Sequence, residues 1–61
     1  MEVTVQLVLS DEQAWALAQL LKRLSFSDCR SLAQDDDEAW LMMLAAERVR
    51  RALAEVGIAP R

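Results

Sequence analysis

Apolar and polar positions alternate along the first nine residues. Val3, Val5, Leu7 and Leu9 fall on one side of the alternation, and Thr4, Gln6 and Val8 on the other. A period of two rich in β-branched residues predicts a β-strand over Glu2 to Leu9. From Ser10 the period changes. Ala14, Leu17, Ala18, Leu21 and Leu24 recur at helical spacing, which predicts a helix over about 11–24. Ser10 suits the N-cap, and Gln13 three residues on completes a capping box. Asp11 and Glu12 place acids in the first turn and Lys22 and Arg23 place bases in the last, as the helix dipole favours.

The stretch 25–34 has no sustained period. Ser27 as a cap predicts a single helical turn over about 28–33, pinned to the core by Phe26 and Leu32. A long helix follows over about 36–56. Asp35 or Asp36 caps it, Gly57 supplies a left-handed stop and Pro60 comes after. Ala39, Met42, Ala45, Ala46, Val49, Ala52, Leu53 and Val56 share one face of it. The run from Ala39 to Ala46 is apolar all round and needs cover on every side, from its own chain or another.

These elements predict an α+β fold, mostly helical, in a single domain over 1–61, with the two long helices antiparallel and the apolar strand face laid across them. A lone strand leaves its backbone hydrogen-bonding groups without partners. The expected remedy is a homodimer formed through Val3 to Leu9. The alternative is a monomer whose tail, at Ile58 and Ala59, bridges to the strand.

Composition narrows the chemistry. Sixty-one residues with one cysteine and no histidine cannot form an internal disulfide and offer a poor metal site. Chains this small often depend on oligomerisation instead. The lone thiol suits a reducing compartment, so a cytoplasmic location is expected. No basic segment followed by an apolar run opens the sequence, so no signal peptide is expected, and the longest apolar run is too short to span a bilayer. With no His, no Tyr and no glycine-rich phosphate loop, neither an enzyme nor a cofactor is expected. Cys29, beside Arg30 but without a base, reads as a small buried residue. Arg48, Arg50 and Arg51 are flanked by Glu47 and Glu55 and read as a mixed, solvated face.

The net charge is −3, and its distribution says more than its total. Asp35, Asp36, Asp37 and Glu38 are four acids in a row, more than a helix cap requires. The plain reading is a solvated cap. The functional reading is a patch, with Asp11 and Glu12 as further acids, that meets a basic protein surface as the phosphates of nucleic acid do. Trp15 and Trp40 lie off the apolar stripes. Each either fills core or anchors an interface, where tryptophan is enriched. Direct binding to nucleic acid is not expected, because a negative chain lacks the counterion-release drive.

Two resemblances follow from these features. The order of Val3 to Leu9 and then Ser10-Asp11-Glu12-Gln13 resembles the start of ribbon-helix-helix proteins. There, single strands of two chains pair and outward side chains read the major groove. That resemblance implies a homodimeric regulator or antitoxin-type component, although Thr4, Gln6 and Val8 include no Arg or Lys. The whole chain, tiny, acidic and without catalytic residues, also resembles the small proteins of phages and mobile elements, anti-CRISPR proteins among them. That resemblance implies an inhibitor that occupies the nucleic-acid-binding surface of a DNA- or RNA-handling complex.

Overall fold

A computed structural model describes the chain from Met1 to Arg61. Ser10 begins the first helix, α1 (Asp11–Arg23), as the spacing predicts. Its hydroxyl accepts the Gln13 N–H at 3.1 Å, and the Gln13 side chain accepts the Ser10 N–H at 3.0 Å. Leu24 is the C-cap. The next helix, α2 (Phe26–Leu32), starts earlier than Ser27 capping predicts, because Ser25 takes that role. Asp28 completes a second capping box, accepting the Ser25 N–H at 2.9 Å. After a bend at Gln34, α3 (Asp36–Glu55) runs for twenty residues from its N-cap Asp35.

The end of α3 is a Schellman turn. Gly57 N–H donates to Ala54 C=O at 3.0 Å and Ile58 N–H to Leu53 C=O at 2.9 Å. Gly57 has a φ of 91°, which an L side chain adopts only with strain. This turn sends Ile58, Ala59 and Pro60 back beside Ala18 and Lys22 of α1 and Arg50 and Ala54 of α3.

α3 is the spine. α1 and α2 each pack on it and do not pack on each other. Ala18 neighbours Ala54, whereas Leu24 neighbours Met43, so α1 runs antiparallel to α3. α2 lies against the earlier part of α3, with Cys29 Sγ 3.5 Å from Met43 Sδ. Only Ala18, Cys29 and Ala39 are fully buried, one on each helix. They are small because they mark the closest approaches. No side chain larger than cysteine is completely enclosed.

The fold is therefore all-α, and the expected N-terminal strand is absent. Residues 1–9 carry no secondary structure and make no backbone–backbone hydrogen bond. Alternation says which side chains would share a strand face, but a strand exists only against a second edge. This chain contains none. The tail that might have served, Ile58 and Ala59, is engaged by α1 and α3 instead. The expected covering of the helices by the strand's apolar face fails for the same reason: Val3, Val5 and Leu7 remain exposed, and only Leu9 is half-buried.

The result is a slab with Cα extents of 33 × 29 × 15 Å. Its radius of gyration is 12.4 Å, against about 10.5 Å for a compact chain of this length. The accessible surface is 5342 Å². Folded monomers of this mass expose about 4,000 Å², so roughly 1,300 Å² is surplus.

Candidate functional site: exposed acids, tryptophans and apolar faces

The acidic run sits where α2 hands over to α3, and the local structure gives three of its four members a task. The Asp35 carboxylate accepts the Glu38 N–H at 2.8 Å and so caps α3. Glu38 reaches back to accept the Gln34 N–H at 2.8 Å. Asp36 accepts from Arg30 Nε at 2.6 Å, tying the start of α3 to α2. Arg30 also donates to Ala33 C=O at 3.1 Å. Asp37 has no side-chain partner. Asp35, Asp36 and Asp37 are all exposed and, with Arg30, line one shallow open depression. No three His, Cys, Asp or Glu side chains converge to hold a metal ion.

Asp11 and Glu12 are exposed in the first turn of α1 and form no ion pair. They stand on a different helix start from Asp35–Glu38, and nothing joins the two groups into one patch.

Neither tryptophan fills core. Trp15 is 42% exposed and Trp40 57%. Trp40 is held in place nonetheless, its ring tilted 35° against Phe26 with centroids 4.5 Å apart. Phe26 thus pins α2 as its spacing suggests, whereas Leu32 points away and is 79% exposed.

Sequence reasoning missed an exposed apolar face on α3. Of the stripe predicted to be core on α3, Ala39 is buried and Met42, Ala46 and Leu53 are half-buried, but Ala45, Val49, Ala52 and Val56 are exposed. The contacts with α1 and α2 are made instead around Met43, Ala46, Glu47 and Arg50. The signal was present in the run Ala39 to Ala46: a segment apolar on every side has no unique inward stripe, and what remains uncovered becomes surface.

At the seam between α1 and α3, Glu47 accepts two hydrogen bonds from Arg50, at 2.6 and 2.8 Å, and one from Arg51 at 3.2 Å. The Arg50 guanidinium pulls the Glu47 carboxyl down to about 2, and Glu47 in turn raises Arg50. The Asp28 carboxyl is lowered by the Ser25 N–H and hydroxyl that hydrogen-bond to it. Both shifts belong to structural pairs rather than to a reacting centre. No helix is long and apolar enough to cross a membrane.

The family model described as "Family of unknown function (DUF7706)" matches residues 1–61. No curated protein and no solved structure matches the chain.

Proposed function

We propose that this chain, which belongs to the DUF7706 family of unknown function over its whole length, works by docking rather than by catalysis. It is a small acidic binding protein that occupies the basic, nucleic-acid-binding surface of a DNA- or RNA-handling complex, a CRISPR effector being the first case to test. A second copy joins it through Val3 to Leu9, whose backbone groups have no partner within the chain. The reading is carried by the exposed carboxylates of Asp35, Asp36 and Asp37 on one open depression, with Asp37 unengaged. Paired acids can still meet a partner, because the Arg30–Asp36 bridge is solvent-exposed and weakly held. Trp40, fixed by Phe26 yet more than half exposed, supplies a rigid apolar anchor near the same end of α3. Asp11, Glu12 and Trp15 on α1 offer a secondary contact. The compartment that goes with this reading is the bacterial cytoplasm, where the buried free thiol of Cys29 stays reduced.

The test is guide-directed DNA cleavage by reconstituted CRISPR effectors, with this protein added at increasing concentration and at several salt concentrations. Inhibition that weakens with salt, and that is lost in the double variant Asp36→Ala, Asp37→Ala, supports the reading. Absence of inhibition, or equal inhibition by the variant, overturns it for these effectors. Submicromolar binding to duplex DNA in a gel shift would instead favour the regulator or antitoxin reading.

A further inference from the structure

We propose that the outward face of α3 is a docking surface for a second copy of this chain, with the two α3 helices side by side and antiparallel. The face consists of Leu41, Ala45, Val49, Ala52 and Val56, all exposed, with half-buried Met42 on one border and the charged Arg48 and Glu55 on the other. At 3.6 residues per turn these five fall within about a quarter of the helix circumference. They point away from Ala39, Met43 and Ala46, which meet the other helices. Spacings of four, three and four from Ala45 to Val56 keep the stripe straight along the helix, as in a seam between paired helices.

Self-complementarity identifies the occupant. The stripe reads almost alike in both directions: Leu41, Ala45, Val49, Ala52, Val56. In an antiparallel pair centred between residues 48 and 49, Leu41 of one copy lies beside Val56 of the other, Ala45 lies beside Ala52, and the two Val49 residues adjoin, offset by about 1.5 Å along the axis. The alanines allow close approach, while the larger side chains fill the two ends. Charge selects the direction. A parallel pair would set two Asp35–Glu38 runs side by side and align the helix dipoles, whereas an antiparallel pair separates the runs and opposes the dipoles. The Schellman turn keeps the face clear by folding Ile58 to Pro60 onto the α1 side.

This proposal rests on the reading of the chain as a docking module and adds a surface that Val3 to Leu9 does not supply. It is tested in the full chain carrying Cys29→Ala, so that an introduced cysteine is the sole thiol. Val49→Cys and Val56→Cys are each incubated with oxidised glutathione, and disulfide dimers are followed on non-reducing gels. The antiparallel pair brings residue 49 against its own counterpart and keeps the two copies of residue 56 far apart, beyond disulfide reach. Val49→Cys should therefore cross-link at least about ten times faster. Equal cross-linking at both sites means a parallel pair and overturns the proposal. In sedimentation at micromolar concentration, Val49→Glu should weaken dimerisation by about 100-fold, with helix content unchanged because residue 49 is already solvent-exposed in the single chain. If Val49→Glu remains dimeric and Val5→Glu does not, self-association belongs to Val3–Leu9 and the helix proposal fails alone. A monomeric wild-type chain overturns both, and leaves the face to a foreign protein or to the chain's own first residues.

Discussion

The inward and outward faces of α3 are built from the same kinds of residue and meet different surroundings. Inward, Ala39 is fully buried, and Met43 and Ala46 are half-buried between α3 and its neighbours. Outward, Leu41, Ala45, Val49, Ala52 and Val56 face solvent. Hydrophobicity does not separate the two sets, since valine and leucine lie on the exposed side and alanine is the most enclosed residue of the chain. Position relative to α1 and α2 separates them. In a slab 15 Å thick, a helix that serves as the spine can be covered on one side only. The lesson is that an apolar stripe in so small a domain does not by itself mark core, because a neighbouring element must be there to cover it.

The sharpest way to break this comparison is to enlarge one alanine on each face. Ala39→Leu should overpack the fully buried side of α3 and cost about 1–3 kcal/mol, a large share of the stability of a domain this small. Ala45→Leu, read at concentrations low enough to keep the chain monomeric, is made into solvent and should change stability by no more than about 0.5 kcal/mol. Urea unfolding followed by far-UV circular dichroism measures both. Equal losses would mean that the outward face is also packed, and the distinction between the faces would disappear.

The turn that directs the tail inward gives a smaller effect. Gly57→Ala should cost about 1 kcal/mol. An added Cβ meets open space, so the whole cost arises from the φ of 91°. A thermal midpoint unchanged by this substitution would show that the turn is not what holds Ile58 and Pro60 against α1.

Within the acidic run the comparison becomes one between a cap and an exposed patch. Asp35→Ala removes the acceptor of the Glu38 N–H and should cost about 1 kcal/mol. The double variant Asp36→Ala, Asp37→Ala keeps that cap and should stay within about 1 kcal/mol of the parent. A double variant less stable than Asp35→Ala would make the Arg30–Asp36 bridge the main fastening between α2 and α3.

Acid gives the smallest effect, at the seam between α1 and α3. The Glu47 carboxyl lies at about 2 in the folded chain, against an ordinary 4.5. A depressed carboxyl stabilises the fold fully above its ordinary value and loses that contribution as the pH falls from about 4.5 toward 2. The pair is exposed, so the loss should be slight. Helix content followed by circular dichroism down this range should decline less in Glu47→Gln than in the parent. Identical acid profiles for the two would exclude Glu47 as a contributor.

How much was legible in the sequence varies by region. α1 was readable to within a residue, because its cap, first-turn acids, last-turn bases and single apolar stripe agree: Ala18 is buried, and Ala14, Leu17, Leu21 and Leu24 are half-buried. α2 was misplaced by two residues at its start, since Ser25 and Ser27 are equally good caps by type and only the Asp28 side chain decides between them. Of the candidate site, the exposure of the acids was foreseeable, whereas the engagement of Asp36 by Arg30 was not. That contact joins residues on two helices whose relative placement no local pattern encodes.

Local signals by themselves determined where helices begin and end: the Ser10–Gln13 box, the Asp35 cap and the Gly57 stop act through hydrogen bonds and dihedral angles within a few residues. Only the tertiary structure decided which apolar residues are core. It buried Ala39, left Val49 and Val56 exposed, and gave the alternating residues Val3 to Leu9 no strand to join. Burial and strand pairing are relations between segments distant along the chain. A period fixes the side of an element on which a residue lies, but it does not supply what stands opposite.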